Sequence, residues 1–269
     1  MNKYLIVLDL DGTLLNHKKE ISFITKHYLR RLKRQGHIIV LASGRPFRSL
    51  KKYYDNLHLD TPVICYNGSL LFNPKDRDFP IFKKPLNRET VINLYQDLVD
   101  NYATNVTSES NDTIYSKTFD KHLAKYFHAE KMKIIEGNFK DTLKEDVWTM
   151  IFKKEDEDHD NQIIKEVKKY KDIGVRFWGM KSLFFEIYPI DVNKCHRLFD
   201  IADYYRIPKE RIIAIGDADN DAEMIEKAGI GICMINGHEG PKKVADIITK
   251  KDNNHNGIAQ VLKEIFRNN

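Results

Sequence analysis

Strand-length apolar runs that alternate with helix-length amphipathic segments constrain this chain more than any other feature. Leu5-Ile-Val-Leu8 precedes a helical pattern from Thr25 to Gln35, in which Tyr28, Leu29 and Leu32 share a face. Ile38-Ile-Val-Leu41 precedes a second helix, Phe47 to Leu57, and Pro62-Val-Ile-Cys-Tyr66 follows. Towards the other end, Ile201 to Tyr205 closes a helix, Ile212-Ile-Ala-Ile215 reads as a strand, Glu223 to Lys227 lies on a helix, and Ile230-Gly-Ile-Cys-Met234 is a further strand. Uninterrupted apolar strands are buried on both sides, and the helices between them supply the cover. The pattern predicts an α/β fold with a Rossmann-like parallel sheet and helices on both faces.

The middle of the chain has a different rhythm. A helix from Arg88 to Asn101 is followed by polar strand segments near Asn105 to Ser108 and Thr113 to Ser116, then a helix near Lys121 to Phe127. Val147 to Phe152, a helix Asn161 to Tyr170, Val175 to Trp178 and Leu183 to Tyr188 complete it. Alternating polarity over several short strands predicts an antiparallel sheet with helices on one side. The expected organisation is a core domain in two parts, 1–83 and 190–269, with an inserted α+β domain, 84–189, entered near Pro85 and left near Pro189. The charged run "KKEDEDHD" reads as a loop or exposed helix start, and no internal repeat or low-complexity tract is visible.

Composition narrows the setting. At 269 residues, with 42% hydrophobic and 31% charged residues, the chain is an ordinary globular protein by balance. Asp9 and Asp11 interrupt the opening apolar run too early for a signal peptide, and no window approaches the length of a membrane span. Three cysteines, Cys65, Cys195 and Cys233, have no C-x-x-C spacing, which argues against a disulfide framework or a zinc site and fits the cytoplasm. The formal charge is +5, yet residues 84–189 hold 17 Lys+Arg against 19 Asp+Glu. The positive excess therefore lies in the two end segments, as a solvated face first and an attraction for anions second. No basic run interleaved with aromatics is present, so neither nucleic acid nor a membrane is an expected partner. Oligomeric state is open.

"LDLDGTLLN" places Asp9 and Asp11 where the first apolar strand ends. In an extended segment the i, i+2 spacing would point both carboxylates to one side, at the end of the sheet where α/β proteins bind ligands. The competing reading is an Asp-Gly turn. An EF-hand is excluded, because neither this stretch nor "DADNDA" places Gly at the sixth position and Glu at the twelfth. "IGDADNDAEM" is a second acidic cluster after a strand. Helix capping accounts for Asp219 to Asp221 and leaves Asp217 without a purpose, which a hard cation held between Asp9 and Asp217 would supply. "LASGRP" puts Ser43 and Gly44 before a helix, either as a plain helix start with Ser as cap or as a phosphate site. Lys194 opens a helix, where the dipole disfavours a cation unless an anion is bound. Asn67-Gly68 reads as a two-residue hairpin turn rather than a ligand contact. His238 lies in a loop after a strand, and Cys195 reads as a buried thiol.

Taken together and in this order, "DLDGTL" at Asp9 to Leu14, "ASGRP" at Ala42 to Pro46, Lys194, "GDADND" at Gly216 to Asp221 and Asn236 in "CMING" resemble the haloacid dehalogenase-like superfamily. Within it the match is to the Cof-type phosphatases with a large cap of the second type. The resemblance covers essentially the whole chain. It implies that Asp9 attacks phosphorus and becomes an aspartyl-phosphate, while Asp11 protonates the leaving alcohol and then deprotonates the hydrolytic water. It further implies that Ser43, Gly44, Lys194 and Asn220 hold the phosphoryl oxygens. Mg²⁺ would be bound by the Asp9 carboxylate, the Asp11 carbonyl and Asp217, with Asp221 a further ligand or one shell out. The inserted domain would act as a lid, with Glu186, Trp178, Phe184 and Tyr188 available to set specificity. The chain departs from the family pattern at Asp191 and Cys195, where glycines are usual near the lysine, and at Gly237, where alanine is common.

The expected function is therefore a Mg²⁺-dependent phosphatase of small phosphorylated metabolites, sugar phosphates first. Flavin or pyridoxal phosphates, or a phosphomutase reaction, are the enzymatic alternatives, and a metabolite-binding phospho-sensor is the non-enzymatic one.

Overall fold

The computed structural model describes residues 3–99, 101–121, 127, 132–156, 158–178 and 182–267. The chain divides into two compact units, Met1–Phe82 with Asn193–Asn269, and Lys83–Val192.

The first unit is built on β1 (Leu5–Leu8), β2 (Ile38–Ala42), β3 (Val63–Cys65), β4 (Leu70–Phe72), β12 (Ile212–Gly216), β13 (Ile230–Cys233) and β14 (Ile247–Ile248). These lie in the order β14-β13-β12-β1-β2-β3-β4, with β5 (Phe82–Lys83) at the edge beyond β4. The pairs from β14 to β3 are parallel, and β4 returns antiparallel to β3. Both alternating sets of the central strands are buried, as the apolar runs require. Leu5, Val7, Val40 and Ala214 pack with Cys195, Leu198 and Ile201 of the helix Lys194–Tyr204. Helix Phe23–Arg34 packs against β2 and against helix Gly257–Arg267. The expected α/β class with a parallel sheet is the observed one.

The second unit carries a six-stranded sheet in the order β10-β11-β9-β6-β7-β8. Its strands are β6 (Ala103–Glu109), β7 (Thr113–Ser116), β8 (Lys133–Glu136), β9 (Thr149–Lys154), β10 (Ile173–Phe177) and β11 (Phe184–Pro189). All neighbours are antiparallel except β7 and β8, which run parallel. β8 is not marked in the sequence, because Lys133-Ile-Ile-Glu136 sets two apolar residues between charges and is mostly exposed. One sheet face, with Val106, Met150, Phe152, Phe185 and Ile187, packs on apolar residues of helices Arg88–Leu98 and Asp160–Val167. The first of these helices stops at Leu98, short of the expected Asn101, because Val99 is already extended and bridges to Ala103. Within the expected helix Lys121 to Phe127, positions 122–126 lie outside the described residues. Among the described residues no helix is long and apolar enough to cross a membrane.

Candidate active site

The site forms where β1 and β12 end, side by side at their carboxyl ends. The Asp9 N–H donates to the Ile215 carbonyl at 3.0 Å, so the β1–β12 ladder continues one residue past Leu8 and fixes the Asp9 backbone. The chain then coils back, with the N–H of Leu14 on the Asp9 carbonyl and that of Leu15 on the Leu10 carbonyl. Gly12 makes this reversal possible at φ +82°, and a Cβ there would stand 2.2 Å from Asp217 Oδ2. The close approach brings the Thr13 hydroxyl to Asp217 Oδ1 at 2.7 Å. The Asn236 amide donates to the Gly12 carbonyl at 2.8 Å and holds the loop from the other side.

Lys194 is the first residue of its helix, capped by Asn193, whose Oδ1 accepts the His196 N–H at 2.8 Å. Its ammonium donates to Asp9 Oδ1 at 2.6 Å and to Asp221 Oδ1 at 2.7 Å. The Lys194 and Asp221 side chains are 0% exposed and that of Asp9 is 9% exposed. The dipole penalty expected for a cation at this helix start is thus met by two carboxylates of the chain itself. Asp221 is the pivot: its Oδ2 accepts the backbone N–H groups of Asp217 and Ala218, both at 3.1 Å. Helix capping explains Asp221 in part, as the sequence allowed, but the residue is also wired to the lysine. Asp219 stays exposed and faces His238 across 3.1 Å, so neither joins the buried cluster.

Asp9, Asp217 and Asp221 each offer an oxygen, and these atoms all lie within 4.8 Å of one another. Three carboxylates share one ammonium, an excess of negative charge that a buried site does not hold without help. Burial first, then the Asp221 carboxylate, pushes the Asp9 carboxyl well above the ordinary carboxylate range, against the pull of Lys194. Burial likewise raises Asp217 to about 6, with the Thr13 hydrogen bond opposing it. Burial works against the Lys194 ammonium, yet Asp221 and Asp9 together hold it above its ordinary value. A set of oxygen donors with surplus negative charge fits a hard divalent cation.

Asp11 has different company. The Arg45 guanidinium grips it at two points, Nε to Oδ2 at 2.6 Å and Nη2 to Oδ1 at 2.5 Å, and Lys19 Nζ adds a third contact at 2.6 Å. Although burial acts upward, these partners hold the Asp11 carboxyl below its ordinary range. The period-two argument does not reach Asp11, because β1 ends at Leu8 and the chain is already turning. Its side chain is 38% exposed and is not part of the three-carboxylate group.

Ser43 is buried, and its Oγ accepts the Arg45 N–H at 3.2 Å. The cap position of helix Phe47–Asn56 is Pro46, so Ser43 is not its cap, contrary to the plain helix-start expectation. Gly44 lies against Asn67, whose Nδ2 would be 3.0 Å from a Cβ at that position. Asn220 donates from Nδ2 to Asn67 Oδ1 at 2.8 Å. The hairpin between β3 and β4 is real, but its loop is four residues, 66–69, rather than two. Asn67 thus touches both Asn220 and Gly44, which its Asn-Gly turn signature does not reveal. Arg45 and Lys19 on Asp11, and Thr13 on Asp217, are further contacts without a sequence signal of their own, although Arg45 lies within "ASGRP" and Thr13 within "DLDGTL".

The residues expected to set specificity gather on the face of the second unit's sheet opposite its core. Glu186 accepts from the Thr149 hydroxyl at 3.1 Å and from Arg176 at 3.4 Å, and Arg176 lies 4.5 Å over the Tyr188 ring. Trp178 and Phe184 pack with ring centroids 5.7 Å apart.

The haloacid dehalogenase-like hydrolase family matches residues 6–262. The 5-amino-6-(5-phospho-D-ribitylamino)uracil phosphatase YitU of Bacillus subtilis is 37% identical, over 98% of this chain and 97% of its own length. A second B. subtilis enzyme of the same name, YcsE, is 26% identical over 96% of this chain and 94% of its own. A haloacid dehalogenase-like hydrolase from Bacteroides thetaiotaomicron superposes with a TM-score of 0.82 at 30% identity, covering 98% of this chain and 100% of that one. The chain belongs to the haloacid dehalogenase-like hydrolases and is one of their phosphatases.

Proposed function

We propose that this phosphatase is Mg²⁺-dependent, works through an aspartyl-phosphate on Asp9, and acts on a small metabolite whose phosphate ends a sugar-alcohol chain carried by a pyrimidine ring. The observation that carries the chemistry is the buried Asp9–Lys194–Asp221 arrangement at the carboxyl ends of β1 and β12, with Asp217 beside it.

Phosphate monoesters hydrolyse so slowly that enzymes accelerate the reaction by up to ~10²¹. An acid–base pair worth about 10²- to 10⁴-fold needs a covalent step and fixed positive charge beside it. Asp9 is the nucleophile in this reading: its backbone is locked by β12 and its carboxylate is aimed by Lys194. Lys194 serves twice, since the same ammonium that orients Asp9 draws in the phosphoryl oxygens that Asp9 must approach. Ser43, Gly44 and Asn220 contribute the remaining donors. Mg²⁺, held by Asp9, Asp217 and the Asp11 carbonyl, with Asp221 alongside, would supply the further positive charge that lets a carboxylate and a phosphate dianion meet. Asp11, kept ionised by Arg45 and Lys19, is suited as it stands to the base half of the cycle, in which it takes a proton from the hydrolytic water. For the acid half Asp11 must first take up a proton against the pull of Arg45 and Lys19, and it then gives that proton to the leaving alcohol. Residues 84–189 form the inserted cap domain of this reading, with 1–83 and 190–269 as the core.

The substrate class rests on two full-length relatives that share one name, that of a phosphatase for 5-amino-6-(5-phospho-D-ribitylamino)uracil. The sequence-based expectation of a sugar phosphate thereby narrows to a phosphorylated sugar alcohol. The face bearing Thr149, Arg176, Glu186, Trp178 and Phe184 offers hydrogen-bonding and ring-stacking groups of the kind such a molecule requires. Phosphate release with Mg²⁺ from that compound, hexose phosphates, flavin mononucleotide and pyridoxal phosphate tests the assignment. The ribityl compound should exceed the others by about tenfold or more in kcat/KM, and chelation of the metal should abolish release. A hexose phosphate turned over as well would restore the broader sugar-phosphate assignment, and release undiminished by chelation would remove the metal.

A further inference from the structure

Three successive residues of the β3–β4 loop, Tyr66, Asn67 and Gly68, have positive φ, at 50°, 55° and 108°. Two of them are not glycine, and such conformations persist only where the surroundings impose them. The surroundings here are the loop after β2. The Asn67 N–H donates to the Ser43 carbonyl at 3.0 Å and the Tyr66 N–H to the Arg45 carbonyl at 3.3 Å. With its backbone held in this way, Asn67 projects its side chain between Gly44 and Asn220. Its Oδ1 takes one hydrogen of the Asn220 amide at 2.8 Å, and its amide group lies where a Cβ on Gly44 would press, 3.0 Å from Nδ2 and 3.1 Å from Oδ1.

We infer that Asn67 is a positioning residue for phosphate recognition: it fixes the Asn220 amide and the Ser43–Gly44 backbone in one arrangement. The chemistry is specific. An asparagine side chain free to rotate presents either its oxygen or its nitrogen to a ligand, and only the nitrogen end binds a phosphoryl oxygen. By accepting from Asn220 Nδ2, Asn67 holds that amide by its nitrogen end and leaves the second N–H to point elsewhere. Gly44 has no side chain at the one place where a Cβ would press on Asn67, so the three groups close up without displacement. Residues from three loops, after β2, β3 and β12, are thereby joined by one side chain.

This inference rests on the proposed phosphate-binding role of Asn220, and its test separates the two. Wild-type and Asp9→Asn proteins are first compared on an aryl phosphate with Mg²⁺. Release by the former and none by the latter supports the reading; no release by the wild type ends both. Asn67→Gly, Asn220→Ala and the double variant are then measured for kcat/KM and for inhibition by inorganic phosphate. Glycine keeps the positive φ, so the loop survives while the amide is lost. Asn67→Gly should lose about tenfold in kcat/KM and weaken phosphate inhibition in proportion, yet change either quantity less than about twofold once Asn220 is alanine. Asn67→Ala, which removes the same amide and adds no charge, provides the same comparison if the glycine variant does not fold. Losses that add in the double variant, or full activity of Asn67→Gly, would overturn the inference.

Discussion

At Asp9 burial and charge pull against each other. The carboxylate is aimed by one ammonium but crowded by Asp221 and Asp217, and burial alone raises the cost of its charge. Replacing it with asparagine keeps an oxygen for Lys194 and removes a charge from the cluster. In the absence of divalent metal, Asp9→Asn should therefore unfold at a higher denaturant concentration than the wild type, while Mg²⁺ should stabilise it less. Lys194→Met should do the reverse. It leaves Asp9 and Asp221 buried together without their shared cation, and breaking a buried pair in this manner costs about 3–5 kcal/mol. Urea unfolding of the three proteins, with and without Mg²⁺, checks both signs. Asp11 illustrates a different point at the same scale. Nothing in its spacing from Asp9 announces that Arg45 and Lys19 will claim it, because those contacts depend on where the chain turns after Leu8.

Among the elements, the meeting of the β3–β4 loop with the start of helix Lys194–Tyr204 places the lysine. Gly68 adopts φ +108° with the Asn193 carbonyl so near that a Cβ would stand 2.4 Å from its oxygen. Gly68→Ala must shift that helix start or the loop, and overpacking together with a left-handed backbone should cost about 3 kcal/mol. Because Asn193 immediately precedes Lys194, the same shift should lower kcat on an aryl phosphate as well as stability. Unchanged kcat in a folded, destabilised protein would show that the helix start does not position the lysine. The two elements are each readable from sequence, the hairpin from Asn67-Gly68 and the helix from its amphipathic pattern. Their contact is not, since it joins residues more than a hundred positions apart through backbone atoms that carry no sequence code.

For the whole molecule, the parallel sheet was legible because its strands are buried on both faces and therefore appear as plain apolar runs, such as Leu5–Leu8 and Ile212–Gly216. Where a strand is exposed the pattern fades: Lys133–Glu136 joins its sheet in parallel without any periodic mark. The ordered motifs likewise put Asp9, Lys194, Asp217 and Asp221 on one list, and the fold gathers them at the ends of adjacent strands. What stayed hidden are the residues that act on other site residues, Arg45 on Asp11 and Asn67 on Asn220. Their types are ordinary for a helix start and a turn, and only tertiary contact gives them another task.

If Asp9 becomes phosphorylated and Asp11 then drives hydrolysis, the two steps can be separated. An aryl phosphate has a leaving group that needs no proton, so Asp11→Asn should still undergo the first step and stall at the second. Acid quenching of Asp11→Asn during reaction with an aryl phosphate and Mg²⁺, followed by peptide mass analysis, tests this directly. One phosphoryl group is expected on the peptide containing Asp9, released by hydroxylamine and absent when Asp9 is also replaced by asparagine. A phosphoryl group on another residue, or on none, would contradict it.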